Sequence, residues 1–391
     1  RIPDLTYDRF RAFHRTFYSP SNARILLYGD IPTEEHLMFL KEILSGFERV
    51  EVDSSIVLQP RWTMPRSIHG YFPIEQDEKM EGKSTVNLAW MTAENTSVET
   101  AMLIGIVADL LVGSAASPLR KALIDSGLGE DLSPVTGLER DLRQIVFSVG
   151  LRGTDPDKAP RIENLILDTL RDTAAGGFDR ELIEGTLHQV EFHGREMVRG
   201  SCPYGIILMG RAFHTWLYDG DPLTDMNFPR TIRGIRAKWE ADPGLFGEAV
   251  RKWFVDNPHR LLSVMEPNLT FLQEREEKVR KRLASLAASL SEAKREEIRE
   301  DTVRLKKFQT EPDPPEAAAS LPQLDIGEIS TEIETIPTER TAVQGVPALL
   351  HELFTNGIAY LDLAFDVSDI PDELQPYLPL LGKLTLQMGA A

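Results

Sequence analysis

Short apolar runs with strand character alternate with longer helical patterns through residues 1–267 of this 391-residue chain. Residues 84–92 and 144–150 alternate apolar and polar side chains, whereas residues 97–112 form a strongly apolar helical stretch. Interleaved elements of this kind bury their apolar sides by packing helices against one face of a sheet. We therefore predict an α+β domain at residues 1–267, with helices packed on a mainly antiparallel sheet.

Local signals delimit further elements in the same interval. Acidic residues follow Thr33, which indicates a helix start with Thr33 as N-cap, because the helix dipole favours negative charge in the first turn. Asp179 follows a Gly-Gly helix stop and is placed to cap the next helix. The additional elements that we expect are helices at 33–44, 157–175 and 246–255 and strands at 23–28 and 260–265.

Residues 188–193 read His-Gln-Val-Glu-Phe-His, which is close to a helical zinc motif. In such motifs two histidines four residues apart lie about 40° apart around the helix and share one ion. His188 and His193 are five positions apart, so a regular helix separates them by about 140°. We expect no metal site here, but a packed helix on which His188, Glu191 and Arg195 share one flank. Its expected buried stripe is Ile183, Leu187, Val190, Gly194 and Met197.

The charge and cysteine content exclude several classes of function. The formal net charge is −18, and Lys and Arg are mixed with acidic residues, which argues against nucleic acid as a partner. Cys202 is the only cysteine, so a cysteine-rich zinc site is excluded. No apolar run approaches the roughly 20 residues that cross a bilayer, so we expect no membrane span. Walker A and G-x-S-x-G patterns are missing too.

The composition changes at residue 268. Residues 268–311 contain no glycine, and Ser291 is placed to cap the second of two charged helices, so we predict a helical hairpin linker with one narrow buried stripe. Residues 312–345 are proline-rich and predict an extended strap. In residues 346–391, two apolar runs flank Asn356-Gly357, which favours a β-hairpin with a type I′ turn, followed by a helix.

Several stretches together resemble the presequence protease branch of the pitrilysin/insulinase-type zinc metallopeptidases. The most specific region runs from the helical hairpin through the strap to TNGIAYLDL at residues 355–363. FHRTFYSPSNARILLYGDI (13–31) and SPLRKALIDSGLGEDLS (117–133) add to the resemblance, which covers nearly the whole chain.

The resemblance implies an internal part of a zinc metalloendopeptidase that degrades unfolded peptides in a closed chamber. Residues 1–267 would be the second, non-catalytic domain, the hairpin would link two halves, and residues 346–391 would begin a truncated third domain. The family's zinc ligands and catalytic residues belong to its first and fourth domains. We therefore expect no catalytic, cofactor-binding or metal-binding residue in this chain, and zinc only in the full-length parent. The implied partners are the remaining domains of the same polypeptide and unfolded peptide substrates.

Two alternatives remain open. One is a non-catalytic subunit or peptide-binding module that pairs with a separate catalytic chain, and the other is an independent metalloenzyme that uses residues 188–193. The chain starts at Arg1 without methionine and its last unit is short, which favours an internal fragment. From the family's distribution we expect the bacterial cytoplasm, with the mitochondrial matrix or a plastid as the alternative.

Overall fold

The computed structural model describes residues 2–197, 202–333 and 335–385, and a sheet of six strands forms its centre. The strands are β1 (Arg66–Pro73), β2 (Ser84–Glu94), β3 (Asp131–Leu132), β4 (Gly137–Glu139), β5 (Gln144–Thr154), β6 (Arg260–Asn268), β7 (Glu339–Val343) and β8 (Val346–Leu350). Their order in the sheet is β1-β6-β2-β5-β3, with β4 also paired to β5, while β7 and β8 form a separate ribbon. The β1–β6 pair is parallel and the other described pairs are antiparallel, which confirms the predicted α+β class.

Helices surround this sheet and continue beyond it. They are α1 (Tyr7–Phe17), α2 (Thr33–Leu44), α3 (Val98–Val112), α4 (Pro118–Asp125), α5 (Ala159–Gly176), α6 (Arg180–Arg195), α7 (Tyr204–Trp216), α8 (Pro222–Met226), α9 (Phe228–Ala241), α10 (Leu245–Val250), α11 (Phe271–Ser289), α12 (Glu292–Thr310), α13 (Pro315–Ala319) and α14 (Leu378–Thr385). A π-helical turn, Arg251–Val255, continues α10 towards the sheet. Helices α3 and α5 contact the sheet, and α6, α9 and α10 pack around α3.

The hydrophobic core lies between these helices and one face of the sheet. Trp90, Phe147 and Phe254 are completely buried there, with ring centroids 5.0–6.3 Å apart. The indole Nε1 of Trp90 donates a hydrogen bond of 3.0 Å to the carbonyl oxygen of Phe254. The polar atom of this large buried ring is therefore satisfied, as buried polar groups generally are.

Most elements predicted within residues 84–268 are present in the structure. The predicted strands at 84–92, 144–150 and 260–265 correspond to β2, β5 and β6, and the apolar helix corresponds to α3. Strand β1 and helices α7 to α9 were not predicted. Helix α2 has the predicted bounds, but Pro32 rather than Thr33 occupies its N-cap position.

The predicted strand at residues 23–28 was wrong, since it is not assigned to any sheet in the described structure. A strand needs backbone hydrogen bonds to a neighbour, and this segment is instead held to α7 and the turn that follows it by side chains. Arg24 pairs with Asp219 at 3.1 Å, and the rings of Tyr28 and Tyr204 lie 6.3 Å apart. Helices α1 and α2, on either side of the segment, contain no buried residue among those described.

The helical hairpin forms as predicted, but its apolar stripe is exposed. Ser291 caps α12, because its hydroxyl accepts a 3.2 Å hydrogen bond from the backbone N–H of Lys294. Neither α11 nor α12 has a buried residue, and Val279, Leu283 and Phe308 are 50%, 58% and 80% exposed. The narrow stripe that was expected to be buried has no cover among the described residues.

The β-hairpin after the strap forms earlier in the chain than predicted. Strands β7 and β8 pair across a turn at Gln344-Gly345, so the end of the expected strap is a strand. Both turn residues have positive φ, 51° and 86°, the geometry that suits a two-residue hairpin turn. Asn356 and Gly357 also have positive φ, 54° and 81°, but the runs on either side of them are not paired as strands in the described structure.

Candidate functional site

The near-zinc motif lies on α6, which is an α-helix from Arg180 to Arg195. Asp179 caps its first turn as predicted, accepting hydrogen bonds from the N–H groups of residues 181 and 182 at 2.8 Å and 3.3 Å. His188 and His193 are both exposed. Across the described residues, no group of three or more His, Cys, Asp or Glu side chains is arranged to hold a metal ion.

The predicted buried stripe of α6 packs against the domain. Ile183 is 4% exposed and Leu187 is completely buried. Gly194 faces the ring of Phe228, and a Cβ atom at position 194 would lie 2.6 Å from Cδ1 of that ring and closer still to two further ring atoms. Only a residue without a side chain fits this contact, which is the reason for glycine in this helix. Met197, the last residue of the expected stripe, lies beyond the end of α6.

The predicted flank carries an ion pair. Oε1 of Glu191 accepts hydrogen bonds from Nη2 and Nε of Arg195 at 2.8 Å and 3.1 Å. The two residues are one helical turn apart, the spacing at which side chains meet on a helix surface. This pair fixes the guanidinium at the carboxyl end of α6.

The carboxyl end of α6 is joined to a turn far along the chain. Nδ2 of Asn356 donates a 2.8 Å hydrogen bond to the backbone oxygen of Arg195, and Nη1 of Arg195 donates one of 3.4 Å to the backbone oxygen of Asn356. Nη2 of Arg211 donates to the oxygen of Gly194 at 3.1 Å. The last carbonyls of a helix lack partners within it, so tertiary donors cap α6 here. We call the Arg195–Asn356 contact the clasp.

A second junction ties the segment before β1 to the end of the sheet. His259 is 3% exposed, and its Nδ1 accepts a 3.2 Å hydrogen bond from the backbone N–H of Trp62, whose indole stacks on the imidazole at 4.3 Å. The side-chain amide of Gln59 lies 3.4 Å from Nε2. Burial lowers the pKa of His259, and the charges of Arg61 and Arg66 lower it further. The imidazole is therefore neutral at pH 7 and acts as a structural anchor.

The chemistry of these junctions is positional. The clasp and the His259 anchor join segments that are far apart in sequence, through hydrogen bonds between fixed backbone and side-chain groups. Sequence reasoning identified Glu191, Gly194 and Arg195 on α6 but not Asn356 as their partner. That no catalytic residue lies in this chain stays a prediction.

Two family models match most of the chain. Residues 4–190 match the model described as Peptidase M16 inactive domain. Residues 265–391 match a model of the region associated with subfamily C of the same M16 peptidases. Among the described helices, none combines the length and apolar character that crossing a bilayer requires.

Curated proteins match over nearly the whole chain. Presequence protease 1, chloroplastic/mitochondrial, of Arabidopsis thaliana is 34% identical over 99% of this chain and 36% of its own length. Protein HypA of Clostridium perfringens is 32% identical over 97% of this chain and 39% of its own length. The chain thus spans less than two fifths of the length of each relative.

A solved structure shares the fold. The crystal structure of a peptidase M16 inactive domain from Pseudomonas fluorescens matches with a TM-score of 0.52 and 14% identity, over 68% of this chain and 59% of that one. By its sequence matches, the chain belongs to the M16 family of peptidases, in the presequence protease branch.

Proposed function

We propose that this chain is the non-catalytic internal portion of a zinc metalloendopeptidase that degrades unfolded peptides in a closed chamber. The match of residues 4–190 to the inactive domain of M16 peptidases carries this proposal. In the full protein, zinc would be held by domains outside this chain and would activate the attacking water. The role of this chain is to form part of the chamber wall and the hinge between the halves.

The two faces of the sheet support the wall. On β2, Val86, Leu88 and Trp90 are buried against the helices, whereas Thr85 and Ala89 on the opposite face are only half-buried. Small and polar side chains on an incompletely covered sheet face suit a surface that lines an aqueous chamber. A chamber that closes admits unfolded chains and excludes folded proteins by size.

The exposed stripe of the helical hairpin supports the hinge. Helix α11 follows β6 after two residues, so the hairpin projects directly from the sheet. Its apolar side chains have no cover among the described residues, and burying each one against another domain is favourable by about 1.5–3 kcal/mol. The hairpin thus offers a continuous surface on which the other half of the enzyme packs, and domain closure moves one half about it.

The first test separates this chain from its full-length parent. The 391-residue chain should not cleave a quenched fluorescent unfolded peptide, whereas the complete gene product should cleave it until a chelator removes zinc. A compactly folded substrate containing the same cleavage sequence should resist. Chelator-sensitive cleavage by the isolated chain would overturn the proposal in favour of a metal site at residues 188–193. A gene that starts near Arg1 would instead support a separate non-catalytic subunit.

The hinge role is tested in the full-length protein. Leu283→Glu places a charge on the hairpin stripe and should lower kcat/KM for the peptide by about tenfold or more, because an unpaired buried charge disrupts packing between halves. Lys281→Glu lies on the same helix, where Lys281 is 75% exposed, and is the matched control. Equal activity of both variants and the wild type would contradict a hinge that packs through this stripe.

A further inference from the structure

A cavity of about 360 Å³ lies beside α6, between α3, α7 and α8, on the helical side of the domain. Part of its lining is apolar: Met102, Ile106, Val190, Ile207 and Phe228. The rest is polar and includes the carboxylates of Asp109 and Asp225 and the imidazole of His214. None of these residues belongs to the clasp or to the His259 anchor.

Two hydrogen-bond acceptors in this cavity lack a donor. Asp225 is 4% exposed, and its Oδ2 is buried without a hydrogen-bond partner. His214 Nε2 lies 2.6 Å from Oδ1 of Asp141, so the neutral imidazole carries its proton on Nε2. Its Nδ1 is then an acceptor, is likewise unpartnered, and lies 3.8 Å from Oδ2 of Asp225. Two acceptors thus face each other with no proton between them.

The surrounding charges do not neutralise this arrangement. The nearest guanidinium nitrogen, Nη2 of Arg140, lies 4.0 Å from Oδ1 of Asp225, beyond hydrogen-bond distance. Arg211 is engaged in the cavity wall, over the ring of Phe228 at 5.5 Å and on the oxygen of Gly194. Three carboxylates, counting Asp109 and Asp141, against two guanidinium groups leave one negative charge uncompensated. The chain as a whole carries −18, which adds to the attraction for a cation.

We propose that this cavity binds a primary alkylammonium group. Such a group has three N–H donors and a positive charge, so one nitrogen can donate to Asp225 Oδ2 and His214 Nδ1 together. Its methylene stem then lies along the apolar wall at Ile207 and Phe228. A water molecule would bring donors but no charge, and a metal ion would find no group of three ligands among the described residues.

The binding test uses calorimetry on the 391-residue chain at pH 7.5. Butylamine and 1,5-diaminopentane should bind with one site per chain. Tetramethylammonium, which is charged but has no N–H donor, and butanol, which is neutral, should bind about tenfold or more weakly, since a hydrogen bond to a charged group is lost. Acetyl-Ala-Lys-Ala-amide distinguishes a peptide lysine from a free amine as the source of the group. Equal binding of butylamine and tetramethylammonium, or no binding of any amine, would overturn the proposal.

Variants locate the site. Asp225→Asn should weaken butylamine binding by about tenfold or more, because the new amide supplies its own donor to His214 Nδ1 and removes the negative charge. His214→Phe removes the second acceptor while keeping a ring, and should weaken binding in the same direction. Asp301→Asn, at an exposed position on α12, is the matched control and should bind as the wild type. Unchanged affinity in either site variant, with folding verified by circular dichroism, would refute the assignment.

Discussion

Substituting Gly194 tests the close packing of α6 directly. Alanine at a helical glycine normally stabilises a protein by about 1 kcal/mol through helix propensity. At position 194 the added methyl would enter the ring of Phe228, at 2.6 Å from Cδ1 and less from two other carbons. Overpacking of this kind costs about 1–3 kcal/mol or more, and the ring cannot retreat freely because Arg211 lies over it. We expect Gly194→Ala to lower the free energy of unfolding by about 1–2 kcal/mol.

The same helix supplies the matched control. Gly185 has no atom within 4 Å of the position of an added Cβ, so Gly185→Ala should gain the propensity without a clash and raise stability by about 1 kcal/mol. In a domain of this size each 1 kcal/mol moves the thermal midpoint by about 2–4 °C, which circular dichroism resolves. Phe228→Leu combined with Gly194→Ala should recover part of the loss. If both alanine variants stabilised the protein equally, the contact between Gly194 and Phe228 would be refuted.

Three further outcomes follow from single contacts. Asn356→Ala removes the donor to the Arg195 oxygen and should speed amide hydrogen exchange at residues 355–358 severalfold while leaving β2 unchanged. Asp179→Ala should cost about 1 kcal/mol, and Asp179→Asn much less, in urea unfolding, because asparagine still caps the helix. Since the folded pKa of His259 is lowered, the unfolded state binds a proton first; stability should therefore fall as pH drops below about 6.5, and less so in His259→Asn.

The sequence predicted well those features that depend on local spacing. The α6 stripe and the Glu191–Arg195 pair follow from residues three and four positions apart, and the Asp179 cap from its immediate neighbours. The strands β2, β5 and β6 were predictable because β-rich apolar runs mark half-buried strands. Each of these signals is contained in a window of a few residues, so no tertiary knowledge was needed.

The missed features depend on contacts between distant parts of the chain. Strand β1 contains Gly70 and a histidine and shows little apolar alternation, but its parallel pairing with β6 fixes it in the sheet. Residues 23–28 have the composition of a strand, yet their contacts run to α7. The Gln344-Gly345 turn lacked the Asn-Gly signature that drew attention to residues 356 and 357, although its two φ angles are of the same kind.

The cavity at Asp225 was also beyond reach of the sequence. Asp141, His214 and Asp225 come from a loop and two helices, and nothing in their spacing marks them as neighbours. The only local signal is an aspartate within the short helix α8, which on its own indicates a cap or a solvent contact. Its burial to 4% exposure, without a hydrogen bond to Oδ2, becomes visible only once the helices are packed.

The clasp also sets an order of events during synthesis. Arg195 and Asn356 are 161 residues apart, and a ribosome adding about 5–20 residues per second needs about 8–32 s to make the second after the first. By then every strand of the six-stranded sheet has been made, since β6 ends at Asn268. The carboxyl end of α6 therefore waits without its Asn356 donor while the domain folds, and the arrival of the Asn356 turn registers that the later part of the chain has reached its place.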